Sequence, residues 1–249
     1  MYEEAPSRTV PGAVVWRARG QGGAVLPDGC MDLLWTGGRL LVAGPDTGPH
    51  PAGEVPGRSF TGLRLAPGAA PALLGVPAWE LRDRRVELAA LWPGPEVRRL
   101  TERTAGYEDP RAGLEALARA RFAAVGPPDP LPAEVTARLR AGQPVSAIAA
   151  AVGLGERQLR RRCLDAFGYG PRTLGRVLRL QRALALTRRG LPQAEVAYAA
   201  GYADQAHLAR EVRALAGTTL GAWAAAQAPS ATSGANSETW QPSGSRTTA

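Results

Sequence analysis

Few residues in this sequence offer catalytic chemistry. Cys30 stands in Pro27-Asp28-Gly29-Cys30-Met31-Asp32, and a thiol there could serve as a nucleophile. No His lies near it in the sequence to take its proton, and flanking carboxylates raise a thiol's pKa. A small buried Cys opening a strand after a Pro-Asp-Gly turn is the simpler reading. His50, between Pro49 and Pro51, reads as a loop residue. Two Cys and two His supply neither a conventional structural zinc site nor a disulfide framework, so no metal, no cofactor and no enzymatic activity are expected. Trp16, Trp35, Trp79 and Trp92 could line a ligand pocket, but core aromatics are the commoner use of such residues.

The remaining chemistry is cationic. All 30 basic residues are Arg, against 22 acidic ones. Residues 1–130 hold 15 Arg and 15 acidic residues, whereas residues 131–227 hold 14 Arg and 6 acidic residues. The tail, 228–249, has one of each. A GC-rich genome accounts for the missing Lys, but not for an excess confined to one segment, which is the pattern of a domain facing a polyanion.

Two textures of sequence must position these groups. Val14–Ala18, Gly23–Leu26, Met31–Trp35, Leu40–Ala43 and Phe60–Leu65 are short apolar or alternating runs punctuated by Pro, Gly and Asp, and they predict a meander of strands. After Pro67-Gly68, Ala70–Leu74, Ala78–Arg82, Glu87–Trp92, Pro95–Thr104 and Arg111–Phe122 suit short helices. This predicts an α+β N-terminal domain over 1–125, followed by a linker, Gly126-Pro127-Pro128-Asp129-Pro130. From Leu131 the pattern is helical: Pro132–Ala141, Pro144–Val152, Glu156–Phe167 and a long helix, Thr173–Arg189, stopped by Gly190 and Pro192. Ala228–Ala249 is rich in Pro, Ser, Thr, Gly and Ala and predicts a disordered tail. No apolar run approaches the length of a membrane span, and Met1–Arg8 has no apolar signal region, so a cytoplasmic protein without membrane contact is expected.

An internal repeat organises the helical half. Ile148-Ala149-Ala150-Ala151-Val152-Gly153 superposes on Val196-Ala197-Tyr198-Ala199-Ala200-Gly201. With one extra residue in the second turn, Leu159, Arg161, Cys163 and Gly168 match Leu208, Arg210, Val212 and Gly217. Each copy is a helix, a Gly turn and a second helix with a polar face, the outline of a helix-turn-helix. The all-α domain, 131–227, is therefore expected to hold two such units joined by the long helix. Successive major grooves on one face of a duplex lie roughly 34 Å apart, so a single chain could read both.

The helical half resembles the AraC/XylS family of bacterial transcription regulators. The likeness rests on Ala149-x3-Gly153, Leu159-Arg160-Arg161, Gly168-Tyr169-Gly170-Pro171, Leu180-Gln181-Arg182-Ala183, and Ala199-Ala200-Gly201-Tyr202-x-Asp204-x2-His207-Leu208-x-Arg210-Glu211-Val212. Leu26–Trp35, Ala43–Thr47 and Gly62–Ala70 are similar to an uncharacterised N-terminal domain that recurs ahead of such modules. The resemblance implies a sequence-specific regulator that binds double-stranded promoter DNA. Its N-terminal domain would sense a signal, as from a small-molecule effector, or mediate assembly into a homodimer, and RNA polymerase would be a further partner. Matched by position, the DNA contacts fall on Arg157, Arg160 and Arg161 in the first unit and on Gln205, Ala206, Ala209 and Arg210 in the second.

The chemistry of these residues suits the task. Arg pairs bidentately with guanine, Gln with adenine, and Ala offers apolar contact to a thymine methyl. Each Arg could instead lie on a solvated face or clamp a phosphate, and Arg161 and Arg210 could pack against an acidic residue. Arg188 and Arg189 read as phosphate contacts or plain surface, and Tyr202 as core beneath the turn. Two positions depart from the family pattern. Gly155 replaces the usual Ser cap, so the first recognition helix is expected to start less firmly. Leu220 follows Gly217 where a Pro is usual. The rival function is a DNA-repair alkyl transfer through Cys30, since some such enzymes carry the same module.

Overall fold

The computed structural model describes residues 2–19, 23–51, 59–126 and 128–227. Six strands, β1 (Tyr2–Pro6), β2 (Val14–Arg19), β3 (Met31–Thr36), β4 (Arg39–Ala43), β5 (Ser59–Leu65) and β6 (Arg85–Glu87), form one antiparallel sheet in the order β1-β2-β5-β3-β4-β6. Val15, Leu63 and Leu33 fall on one row across β2, β5 and β3. All three are buried, because the alternation of these strands turns their aliphatic residues to the same face. The helices α1 (Ala70–Leu74), α2 (Gly94–Ala105) and α3 (Pro110–Val125) accompany the sheet. Leu73, Leu114, Leu117 and Ala118 join Leu33, Leu63, Leu65 and Trp92 in one core.

Four expectations need correction here. Gly23–Leu26 is not a strand: Val25 alone pairs, with His50, each donating its backbone N–H to the other's carbonyl at 2.8 Å. Pro27 has no N–H to extend that ladder, and His50 is a bridge residue rather than plain loop. Glu87–Trp92 is not a helix either. Arg85–Glu87 pairs with β4, a single 3-10 turn covers Leu88–Ala90, and Pro93 leaves no room for another turn. Trp79 is 49% exposed, whereas Trp92 is buried and donates its Nε1–H to the Leu74 carbonyl at 2.8 Å. The strand β1 carries no apolar alternation, since it is an exposed edge paired among the described residues with β2 alone, and sequence patterning missed it.

The rest of the chain is helical: α4 (Leu131–Arg140), α5 (Val145–Ala151), α6 (Glu156–Phe167), α7 (Pro171–Arg188), α8 (Gln193–Ala200), α9 (Gln205–Ala216) and α10 (Leu220–Gln227). Two cores lie here. One gathers Val135, Ile148, Leu159, Cys163, Phe167, Tyr169, Leu174 and Val177, and the other gathers Leu180, Leu184, Val196, Leu208, Val212, Leu220 and Trp223. The helix α7 contributes its first half to one core and its second half to the other, because its apolar residues hold one stripe through all 18 positions. The tail expected over 228–249 lies outside the described residues.

Candidate nucleic-acid interface

The sequence repeat is a repeat of hydrogen bonds. After α5, Gly153 takes φ +68° and Leu154 N–H donates to the Ala149 carbonyl at 2.9 Å. After α8, Gly201 takes φ +82° and Tyr202 N–H donates to the Ala197 carbonyl at 2.9 Å. Both turns need a left-handed residue, which glycine supplies without steric cost. Each turn leads into a recognition helix of 12 residues, α6 or α9, closed by a left-handed glycine, Gly168 or Gly217.

The two helices start differently. Asp204 caps α9: its Oδ1 accepts the His207 N–H at 2.6 Å, while His207 Nδ1 accepts the Ala203 N–H at 3.3 Å. Gly155 has no side chain to play that part. The Gln158 side chain compensates in part, its Oε1 accepting the Gly155 N–H at 3.2 Å. Only the return half of a capping box is present, so the free N–H groups of the first turn of α6 keep less protection than those of α9.

Burial separates the faces. Leu159, Cys163 and Phe167 of α6 and Leu208, Val212 and Leu215 of α9 are buried. Arg157, Arg160 and Arg161 on α6 and Gln205, Ala206, Ala209 and Arg210 on α9 are all exposed. Arg157, Arg160 and Arg161 stand at the repeat positions of Ala206, Ala209 and Arg210, and Gln205 matches the exposed Glu156. Among the described residues, no carboxylate pairs with Arg157, Arg160, Arg161 or Arg210. The acidic partner considered for Arg161 and Arg210 is therefore absent from the described residues, and these cations face solvent.

Sequence reasoning missed the residues that hold these helices. The seventh position of each is a tether. Arg162 of α6 pairs with Asp129. Glu211 of α9 receives two hydrogen bonds from Arg176 of α7, at 2.8 and 3.1 Å. Those bonds lower the Glu211 pKa and raise that of Arg176. An exposed Arg on a recognition helix gives no cue in the sequence to its partner. Arg188 is not plain surface, since its guanidinium lies 4.9 Å from the Trp223 ring centroid. The guanidinium of Arg179 sits 5.6 Å from the ring of Tyr202, which is buried as expected. At the missing Pro, Thr219 Oγ1 accepts the Ala222 N–H at 3.1 Å and starts α10, with Leu220 and Trp223 buried behind it.

Cys30 lies at the other end of the chemistry. Its N–H donates to Asp28 Oδ1 at 2.8 Å, and burial together with Asp28 and Asp32 pushes the thiol well above its ordinary pKa. That keeps it protonated, the opposite of what nucleophilic attack requires. Cys163 is pushed up to about 12 by burial. Among the described residues no group of three or more His, Cys, Asp and Glu is placed to hold a metal ion, and no helix is long and apolar enough to cross a membrane.

Comparison with known proteins assigns both halves. The family described as "Helix-turn-helix domain" matches residues 148–226, the span of both units. The C-terminal segment is an AraC-type helix-turn-helix domain. With it, the chain is a DNA-binding transcription regulator. Residues 13–87 match a "Domain of unknown function (DUF6597)", which covers strands β2 to β6 and α1. No curated protein matches the chain. Among solved structures, it is similar to ToxT from Vibrio cholerae O395, at 9% identity over 90% of this chain and 97% of that one, with a TM-score of 0.49. It is also similar to unsaturated fatty acid bound wild-type ToxT from Vibrio cholerae strain SCE256, at 10% identity over 85% and 94%, TM-score 0.48.

Proposed function

We propose that this helix-turn-helix domain reads two successive major grooves of promoter DNA, α6 in one and α9 in the other. Arg157, Arg160 and Arg161 neutralise phosphates and reach guanine edges. Gln205 reads adenine, Ala206 and Ala209 make apolar contact, and Arg210 adds a cation. The observation that carries this reading is the exposure of the same repeat positions on both helices, with Arg among them that no carboxylate of the described residues pairs. In this reading residues 1–125 and 131–227 are the two domains, residues 126–130 link them, and the first domain senses a signal or assembles the protein in the cytoplasm. A cavity of about 440 Å³ between α1 and α6, lined by Pro71, Val76, Pro132 and Phe167, offers room for a small effector where the halves meet.

The test is selection of binding sites from random duplex, followed by affinities for the selected and an unrelated sequence at several salt concentrations. A two-part site, with specific binding that weakens as salt rises, is expected. Equal affinity for both sequences would refute the reading.

A further inference from the structure

The two recognition helices end on one loop. A Cβ placed on Gly168, the closing residue of α6, would come 2.6 Å from Pro45 Cγ. One placed on Gly217, the equivalent residue after α9, would come 3.0 Å from Pro49 Cγ. Pro45 and Pro49 stand four residues apart on the segment Gly44-Pro45-Asp46-Thr47-Gly48-Pro49-His50, which follows β4. Four residues of chain reach at most about 14 Å. The C-terminal ends of α6 and α9 are therefore gathered onto one short piece of the N-terminal half.

That piece is fixed at several points. Arg85 grips Asp46 with two hydrogen bonds, Nη1 to Oδ1 at 2.9 Å and Nη2 to Oδ2 at 2.6 Å, and Asp46 is buried. Gly44 N–H donates to the Arg84 carbonyl at 2.9 Å, and Asp83 N–H to the Pro45 carbonyl at 3.0 Å. Asp83 itself sits at φ +58°, and its carboxylate accepts the Thr47 N–H at 2.7 Å. At the far end His50 is held by Val25. The neighbouring turn adds to the grip on the linking helix. Leu26 packs on the second core, and the Pro27 carbonyl accepts from Gln181 Nε2 of α7 at 2.7 Å. The α6 end is held further by Arg82, which donates to the Gly168 carbonyl at 3.3 Å, and by Trp79, which donates to Asp165 at 3.2 Å.

We propose that the loop Gly44–His50 is a spacing brace, a specificity element that fixes how far apart the two recognition helices can reach along DNA. By itself α7 joins the units through side-chain packing, its first half in one core and its second half in the other. The loop joins them a second time, at the closing glycines of α6 and α9, and limits how far one core can shift against the other. Pro45, Pro49, Asp46 and Arg85 act as positioning residues, since none lies on the face that meets DNA. The inference rests on the two-groove reading above.

The test uses the full chain with Pro45→Ala and Pro49→Ala combined, and Arg39→Ala as a control that opens a remote surface pair with Glu87. Affinities are measured for the selected two-part site and for versions with one base pair added to or removed from the spacer. The wild-type preference for the native spacer is expected to shrink about fivefold or more in the double variant, the lower range of coupling between sites. Arg39→Ala should retain it. An unchanged preference in the double variant overturns the brace, whereas a wild-type protein indifferent to spacing overturns the two-groove reading instead. If the double variant binds too weakly to compare, nitroxides are placed on Glu156→Cys and Ala214→Cys, both exposed sites, in a Cys30→Ser background. The distance distribution between α6 and α9 should broaden relative to the same labels without the Pro changes, and an unbroadened one again overturns the brace.

Discussion

The sharpest quantitative consequence concerns salt. Each phosphate neutralised by an Arg contributes about −0.9 to the slope of log affinity against log salt. On α6, Arg157, Arg160 and Arg161 are exposed and unpaired among the described residues, whereas Arg162 is engaged with Asp129. Replacing the first three with Ala should therefore flatten the slope by up to about 2.7. Between about 50 and 200 mM salt, each lost contact is worth roughly 3.5-fold in the salt response and three are worth roughly 40-fold. On α9, Arg210 and Arg213 are the exposed cations, so their joint replacement should flatten the slope by no more than about 1.8. Arg162→Ala should flatten it by clearly less than one contact, because its charge is already met by a carboxylate. Fluorescence anisotropy titrations on one selected duplex across a salt series measure these three variants, the wild type and Arg160→Ala alone. A triple variant with the wild-type slope, or an Arg162→Ala slope flattened as much as that of Arg160→Ala, would refute the reasoning.

Three further outcomes follow from the same geometry. Asp204→Ala removes the 2.6 Å cap of α9 and should cost about 1 kcal/mol in urea unfolding, whereas Gly155→Ser supplies the missing cap of α6 and should add a few tenths, about 0.3 kcal/mol or more; a stabilised Asp204→Ala would contradict this. Burial pushes Asp32 up to about 6 despite Arg64 and the 2.6 Å hydrogen bond from Trp16, above the value of about 3.9 in an unfolded chain. The stability gained from its bound proton is full below about pH 4 and is lost as pH rises through about 6. Asp32→Asn should abolish that decline, and an identical pH dependence in variant and wild type would remove the cause assigned to it. Arg176→Ala leaves the largely buried Glu211 without its two hydrogen bonds and should destabilise α9 by about 1 kcal/mol at neutral pH. Because the Glu211 pKa is lowered in the fold, the wild-type advantage over this variant should fade as pH drops below about 4.3, which unfolding at low pH would show.

The parts legible in the sequence are those in which local pattern and tertiary role coincide. The alternation of Met31–Trp35 and Leu40–Ala43 and the paired glycine turns at Gly153 and Gly201 each state their geometry within a few residues. So do the apolar stripes of α6 and α9. What sequence could not show is carried by single contacts across long separations. Trp79 reads as core by type, yet it stays at the surface and reaches Asp165, 86 residues on. Gln181 reaches Pro27 across 154 residues. Strand β1 owes its place to the backbone of β2 rather than to buried side chains, so no hydrophobic period announces it. Arg162 and Glu211 carry opposite charges at the same repeat position, and only their partners, Asp129 and Arg176, reveal the shared function of tying each helix down.

The repeat also explains how one fold can meet DNA with two unlike surfaces. The backbone turns, the buried residues at positions such as Leu159 and Leu208, and the closing glycines are the same, so the two helices are presented alike. Their exposed positions are not: Arg157 stands where the second unit has Ala206, and Arg160 where it has Ala209. In the proposed reading the first helix therefore favours guanine-bearing edges and supplies most of the phosphate neutralisation. The second combines a firm Asp204 start with one adenine-reading amide and two small apolar contacts. An interface built this way has a direction along the duplex. A single chain cannot turn around on its site without moving the three cations of α6 onto bases suited to Gln205 and Ala206. The site read by one chain is then two different half-sites in fixed order, held at one spacing by α7 on one side and the Gly44–His50 loop on the other.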